Sequence, residues 1–274
     1  MSKKAVLTEY SLSVPKIKNP ITLAFVSDIH ERKSDDILEL LRKSKFDLIL
    51  VAGDTFERYD YEKTESQPPD KKILPVRMIA SAVYYTNHFL MWAFEKNNKP
   101  DTANAYEFLT EASKLAPMFL SLGNHEEKLL EDDLALLRKN GIILLDNADA
   151  RAVIRGNLIN VGGLSNVPDE KWLERFSSKQ GFKLLLCHPP EYYDEMVAGK
   201  DIDLTLAGHN HGGQIKVFGR GVLSSRSGLF PKYDSGVFYN RLIVSAGCSN
   251  TIVLPRLGNP RELVLIHLKP KKEP

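Results

Sequence analysis

The chain is poor in several things that would each announce a function. Cysteine occurs only at Cys187 and Cys248, with no CxxC pair. That excludes a disulfide framework and reads as two free thiols, as a reducing compartment allows. Net charge is almost absent: 37 Lys and Arg against 35 Asp and Glu leave +2. So balanced a chain gives no electrostatic argument for nucleic acid. Long apolar runs are missing too. The uncharged stretch Met78–Phe94 approaches the lower edge of a membrane span, but Ser81, Thr86, Asn87 and His88 interrupt it. The N-terminal MSKKAVLTEYSLSV holds two lysines but no apolar core for a signal peptide. The expectation is a cytoplasmic protein without a transmembrane segment. Histidine is scarce as well, at seven residues.

Those few histidines are not scattered. Five of the seven lie in short blocks, SDIH, GNHE, CHPP and GHNHGG, and a further block is the bare GD. The blocks supply Asp28 and His30, Asp54, Asn124 and His125, His188, and His209 and His211; only His88 and His267 fall outside. Oxygen and imidazole donors in this number suit one or two divalent transition ions.

With 43% hydrophobic residues, the chain can bury a real core. Apolar runs of strand length lead into the blocks: Ile21–Val26 into Asp28, Leu48–Ala52 into Asp54, Met118–Leu122 into Asn124, Leu184–Cys187 into His188, and Leu204–Ala207 into His209. Continuous apolar runs fit strands buried on both faces. The N-terminus alternates at Val6, Thr8, Tyr10 and Leu12, the pattern of a half-buried strand. Helical patterns intervene. One follows a Ser34-Asp35-Asp36 cap with a Glu39–Lys43 pair; another carries Ala105, Phe108, Leu109, Ala112 and Leu115; a third stops at Asn140-Gly141. Strand–helix alternation predicts an α/β fold with ligands at the carboxyl ends of the strands. From Arg151 to Val161 and from Gln214 to Leu268, short runs separated by turn residues read as antiparallel hairpins. The expectation is two sheets face to face with helices outside, in a single domain over 1–274.

The stretch Glu57–Pro100 breaks this regularity. Its Pro-containing polar start gives way to Tyr84, Tyr85, Phe89, Trp92 and Phe94. An apolar face that wide must cover something. Three readings stay open: helices packed on the domain, an inserted helical cap over the site, or a peripheral membrane contact favoured by Lys71, Lys72, Arg77, Lys96 and Lys99.

Taken singly, most of the blocks could be ordinary turns or core histidines. Asp28 and His30, two apart at the end of a strand, would project to one side and share an ion. His209 and His211 in a glycine-rich turn offer little to a core. The order of all the blocks together decides. The set DxH, GD, GNHE, H and GHxH resembles the calcineurin-like metallophosphoesterase superfamily, from Asp28 to His211. GHNHGGQ followed by hairpins is most similar to a bacterial branch of small phosphohydrolases, some of which act on UDP-diacylglucosamine.

That resemblance implies a four-layer α/β/β/α sandwich of two mixed sheets. It implies two divalent metal ions, Mn2+, Fe2+/Fe3+ or Zn2+. Asp28, His30 and His211 would bind one and Asn124, His188 and His209 the other, with Asp54 bridging. It makes His125 a catalytic residue beside Asn124, approaching the phosphoryl or leaving-group oxygen, with Glu126 close enough to orient it. This chain departs from the pattern in carrying Thr55-Phe56-Glu57-Arg58 after the GD block and in the length of Glu57–Pro100.

The chemistry follows. Two cations about 3.5–4 Å apart clamp attacking and leaving oxygens and make hydroxide accessible near neutral pH. A protonated His125 would stabilise the developing charge and protonate the leaving group. The expected function is hydrolysis of a small phosphomonoester or phosphodiester by metal-activated hydroxide, on a substrate that an apolar cap would let be lipid-linked. A catalytically silent scaffold of the same fold has no need of His125. A nuclease would want a basic stripe with interleaved aromatics.

Overall fold

The computed structural model describes residues 4–58, 100–224, 228–250 and 256–271. Most of the Glu57–Pro100 stretch therefore lies outside the described residues. Strands and helices are numbered in chain order.

The first sheet holds β1 (Val6–Val14), β2 (Ile21–Val26), β3 (Leu48–Ala52), β4 (Met118–Ser121), β5 (Ile143–Leu145) and β15 (Glu262–Pro270), in the order β1-β15-β2-β3-β4-β5. The second holds β6 (Ala148–Ile154), β7 (Asn157–Leu164), β8 (Phe182–Cys187), β9 (Leu204–Ala207), β13 (Gly236–Phe238) and β14 (Leu242–Val244), in the order β13-β14-β9-β8-β7-β6. A small third sheet joins β10 (Ile215–Val217), β11 (Arg220–Ser224) and β12 (Gly228–Leu229).

The continuous apolar runs have a direct cause. Side chains alternate across each strand, and both faces are covered. Leu23 and Phe25 of β2 enter the core between the sheets with Leu50, Phe182, Leu184 and Ile266. Ala24 and Val26 point the other way, onto Ile37 and Leu41 of α1 (Asp35–Lys43) and Phe108 and Leu109 of α2 (Thr102–Ser113). Leu137 of α3 (Glu131–Lys139) joins the same layer. On the far face of the second sheet, Trp172, Leu173 and Phe176 of α4 (Glu170–Ser177) and Tyr193 and Val197 of a π-helical turn cover Leu164, Leu185 and Ala207. Helices, sheet, sheet and helices make the expected four layers of an α/β/β/α sandwich.

Two local expectations change. Ser34 precedes α1, but its hydroxyl turns back to the Arg32 carbonyl instead of capping the helix. The last strand belongs to no hairpin. β15 inserts between β1 and β2, parallel to the first and antiparallel to the second. The antiparallel pairs β6–β7, β10–β11 and β13–β14 are present as read. Both cysteines are free and buried. Among the described residues no helix is long and apolar enough to cross a membrane.

Candidate metal centre

The donor-bearing blocks follow the carboxyl ends of β2, β3, β4, β8 and β9, where parallel strands bring their loops to one edge. The loops then hold one another. Asp28 N–H donates to the Gly53 carbonyl at 3.1 Å and His30 N–H to the Asp54 carbonyl at 2.9 Å. Asp54 Oδ1 accepts the His125 N–H at 3.0 Å, and Asp28 Oδ1 accepts the His209 N–H at 3.1 Å. Glycine is required where the loops cross. A Cβ on Gly123 would stand 2.1 Å from Asp54 Oδ1, and one on Gly208 would stand 2.5 Å from Asp28 Oδ2.

Asp28 and His30 do meet at one place, but not through the pleat of an extended strand. Their φ angles are 57° and 52°, and Asp54, His209 and His211 also have positive φ. Ordinary side chains rarely adopt this left-handed region. The interlocked loops impose it, and such strain gathers at functional sites.

The side chains converge on a buried centre. Asp28, His30 and His211 offer donor atoms within 4.8 Å of one another; so do Asp54, His188 and His209, and so do His30, Asp54 and His125. His188 Nε2 lies 2.9 Å from Asp54 Oδ2, and His30 Nε2 lies 3.6 Å from the same oxygen. His211 Nε2 lies 3.7 Å from Asp28 Oδ1.

The outward ring nitrogens show which atoms are prepared for an ion. His188 Nδ1 donates to the Ala52 carbonyl at 2.7 Å, and His30 Nδ1 meets the Glu57 carboxylate at 2.8 Å. A carbonyl or carboxylate there leaves the proton on Nδ1 and the Nε2 lone pair facing inward, the arrangement usual for metal-ligating histidine. His30 Nε2 is buried with no hydrogen-bond partner. An orphaned imidazole nitrogen between two buried carboxylates is a poor core and a good metal site. The donor set therefore fits divalent ions.

Electrostatics agree. Burial alone would raise the Asp28 carboxyl, but His211, His30 and His188 hold it well below the usual carboxylate range. Asp54 is lowered against its own burial by His188, His125 and His30. Despite burial, His30 rises to about 10 through Asp28 and Glu57, and His188 to about 9 through Asp54. Burial, with His30 and Arg256 near, pushes His211 down to about 3 although Asp28 opposes it. These carboxylates demand positive charge, which protons supply on imidazole or a cation supplies in their place.

Other residues stand differently from their sequence reading. Glu126 accepts backbone N–H groups of Asp54, Thr55, Phe56 and Gly123 at 2.6–3.0 Å. It locks the GD loop to the GNHE loop, while burial and the Asp54 charge push it up to about 7. The carboxylate on His125 Nδ1 is that of Glu57, at 2.7 Å. Glu57 thus joins His30 to His125. Arg58, its neighbour, is turned away into a buried ion cluster with Glu31 and Asp133. Cys187 faces the outer cluster beside α4, as strand alternation from His188 requires.

Two contributors come from the end of the chain. Asn259 Nδ2 donates to the His211 and Gly213 carbonyls at 2.7 and 2.6 Å. Arg256 Nη2 lies 3.2 Å from His211 Nδ1.

The profile of the calcineurin-like phosphoesterase family matches residues 21–213, and the chain belongs to that family. It is a metal-dependent phosphoric ester hydrolase. It is 25% identical over 270 residues to the uncharacterized protein YpbG of Bacillus subtilis (strain 168), covering 94% of this chain and 85% of that one. It is 26% identical over 271 residues to an uncharacterized metallophosphoesterase of Campylobacter jejuni, covering 95% of this chain and 62% of that one. Among solved structures it is similar to the sulfate thiohydrolase SoxB of Thermus thermophilus, with a TM-score of 0.47, 12% identity, and coverage of 93% and 57% of the two chains. The 5'-nucleotidase precursor of Thermus thermophilus gives a TM-score of 0.45 at 16% identity, with 84% and 49% covered.

Proposed function

We propose that the protein hydrolyses a phosphomonoester or phosphodiester with two divalent ions of the Mn, Fe or Zn type. In this reading Asp28, His30 and His211 hold one ion, Asn124, His188 and His209 hold the other, and Asp54 is shared. The observation that carries it is the buried His30 Nε2, which has no hydrogen-bond partner and faces Asp28 Oδ1 at 3.8 Å and Asp54 Oδ2 at 3.6 Å while Nδ1 is held by Glu57. When bound, such ions clamp the attacking and leaving oxygens and acidify water.

The chain's own residues do the rest. Asp54 is held by the Glu126-locked turn, with Oδ1 on the His125 backbone N–H and Oδ2 facing His30, His125 and His188. His125 has Nε2 3.8 Å from Asp54 Oδ2 and Nδ1 on the Glu57 carboxylate. A charged imidazole backed by a carboxylate can donate from Nε2 to the leaving oxygen and release its proton there. Asn124 adds a neutral oxygen donor beside it. The substrate is a small phosphoester whose apolar part, lipid-linked or not, meets the Glu57–Pro100 segment as a cap on one domain over 1–274.

The test is metal content followed by turnover. Purified protein carries or takes up two transition ions per chain and hydrolyses an aryl phosphate or diester; Asp54→Ala loses both ions. Unmutated protein that binds no metal in elemental analysis ends this reading.

A further inference from the structure

Between the two histidines of the GHNHGG turn stands Asn210, 2% exposed. His209 and His211 on either side of it have φ angles of 71° and 48°. Backbone in that region persists only where its surroundings hold it. The Asn210 side chain reaches those surroundings. Its Nδ2 donates to Glu191 Oε1 at 2.9 Å and to the Tyr233 carbonyl at 2.9 Å. A primary amide has two N–H donors, and each meets an atom that can only accept. Aspartate has the same shape and neither donor; serine has one.

Both acceptors lead back to the metal-bearing edge. Glu191 lies three residues after His188, and the Pro189 and Pro190 between them are buried. Proline fixes φ at both positions, so the link from Glu191 to His188 is stiff. The two loops also join through their backbones, where Gly208 N–H donates to the His188 carbonyl at 3.1 Å. Tyr233 closes the frame. Its hydroxyl donates to Asp194 Oδ1 at 2.8 Å, on the π-helical turn Tyr193–Val197 that follows Glu191. One amide thus clips the turn of His209 and His211 to the loop of His188. The far side of the turn has its own support, because Asn259 holds the His211 carbonyl. Loss of the clip therefore leaves His211 held and lets His209 drift from His188. We propose that Asn210 is a positioning residue that sets the affinity for the ion shared by His188 and His209. The inference rests on the two-ion reading above and adds which residue outside the ligand set tunes which ion.

Metal-free full-length protein is titrated with Mn2+, and free Mn2+ is read by electron paramagnetic resonance. Unmutated protein takes two ions. Asn210→Asp takes one at the original affinity and binds the second about 10–100-fold more weakly, the usual effect of a lost partner behind a ligand. Combining it with Glu191→Gln restores a donor and an acceptor with their roles exchanged, and recovers most of the loss. Melting curves of the metal-free proteins are recorded beside each titration. Two ions at the original affinity in Asn210→Asp overturn the proposal. So does an equal weakening of both ions with a lowered melt, the mark of general loosening. A loss that the double change leaves uncorrected overturns it too, because the clip to Glu191 is then not the cause. If Asn210→Asp does not fold without metal, Asn210→Ser is judged by the same outcomes. Unmutated protein that takes no ion ends the two-ion reading itself, whereas two ions in both parent and variant end only this inference.

Discussion

At the scale of single residues, Glu57 has the most demanding position in the centre. One carboxylate takes Nδ1 of His30 and Nδ1 of His125. Burial would raise its pKa, yet the two imidazoles pull it down to about 2. Removing the acid partner and removing His125 are therefore distinguishable. His125→Ala is expected to keep its metal while turnover falls on the order of 10²–10⁴, the usual worth of a general acid. Glu57→Gln, which keeps shape but loses charge, is expected to lower turnover and also weaken the ion next to His30. Metal titration beside kinetics separates the two; metal lost in parallel with activity in His125→Ala would make His125 a ligand. Asn259 supports a different ligand. Its amide holds the carbonyls on both sides of Gly212, so Asn259→Asp, with the same shape and no donor, should lower metal content toward one ion per chain. An unchanged content of two would show that the turn holds itself.

At the scale of elements, the strand ends were the legible part. β2, β3 and β9 begin and end where their apolar runs do, because burial on both faces leaves only Thr22 and Thr205 as polar residues inside them, neither at a strand end. The turns after them were not legible in shape. Nothing in SDIH announces left-handed backbone at Asp28 and His30; that comes from hydrogen bonds to Gly53 and Asp54, remote in sequence. Glu57, Arg256 and Asn259 stayed hidden for the same reason. Each acts through partners that only the assembled loops bring near, and no residue type or spacing marks them. β15 was misread because a closing strand in the first sheet has the same apolar pattern as a hairpin strand. The loop crossing can be tested directly. Gly123→Ala puts a Cβ 2.1 Å from Asp54 Oδ1, so Asp54 must shift. Metal retention should be lost while far-ultraviolet dichroism stays close to that of the parent, since the sheets are untouched. Retained metal at the original affinity would show that the loops yield without cost.

At the scale of the whole molecule, the two ends of the Glu57–Pro100 segment meet at one anchor. Arg58, its side chain 9% exposed, pairs with the buried carboxylates of Glu31 and Asp133. Thr102 Oγ1 donates to Glu31 Oε1 at 2.9 Å, and Asp101 N–H donates to the Glu31 carbonyl at 3.0 Å. Glu31 follows the proposed ligand His30, so the anchor fastens α2, α3 and both ends of the segment to the metal-bearing edge. Removing one partner of a buried ion cluster costs about 3–5 kcal/mol, so Arg58→Met should lower the melting temperature clearly. An unchanged melt would mean that water or another cation replaces it. Because the ends already meet, a short linker from Arg58 to Asp101 should close without straining the sandwich. Metal binding should then survive. Hydrolysis of a bulky or lipid-linked ester should fall more than hydrolysis of an aryl phosphate, since remote binding energy spent on the larger substrate is lost. Equal losses on both substrates, or a shortened chain that fails to fold, would make the segment part of the core and not a cap on the site.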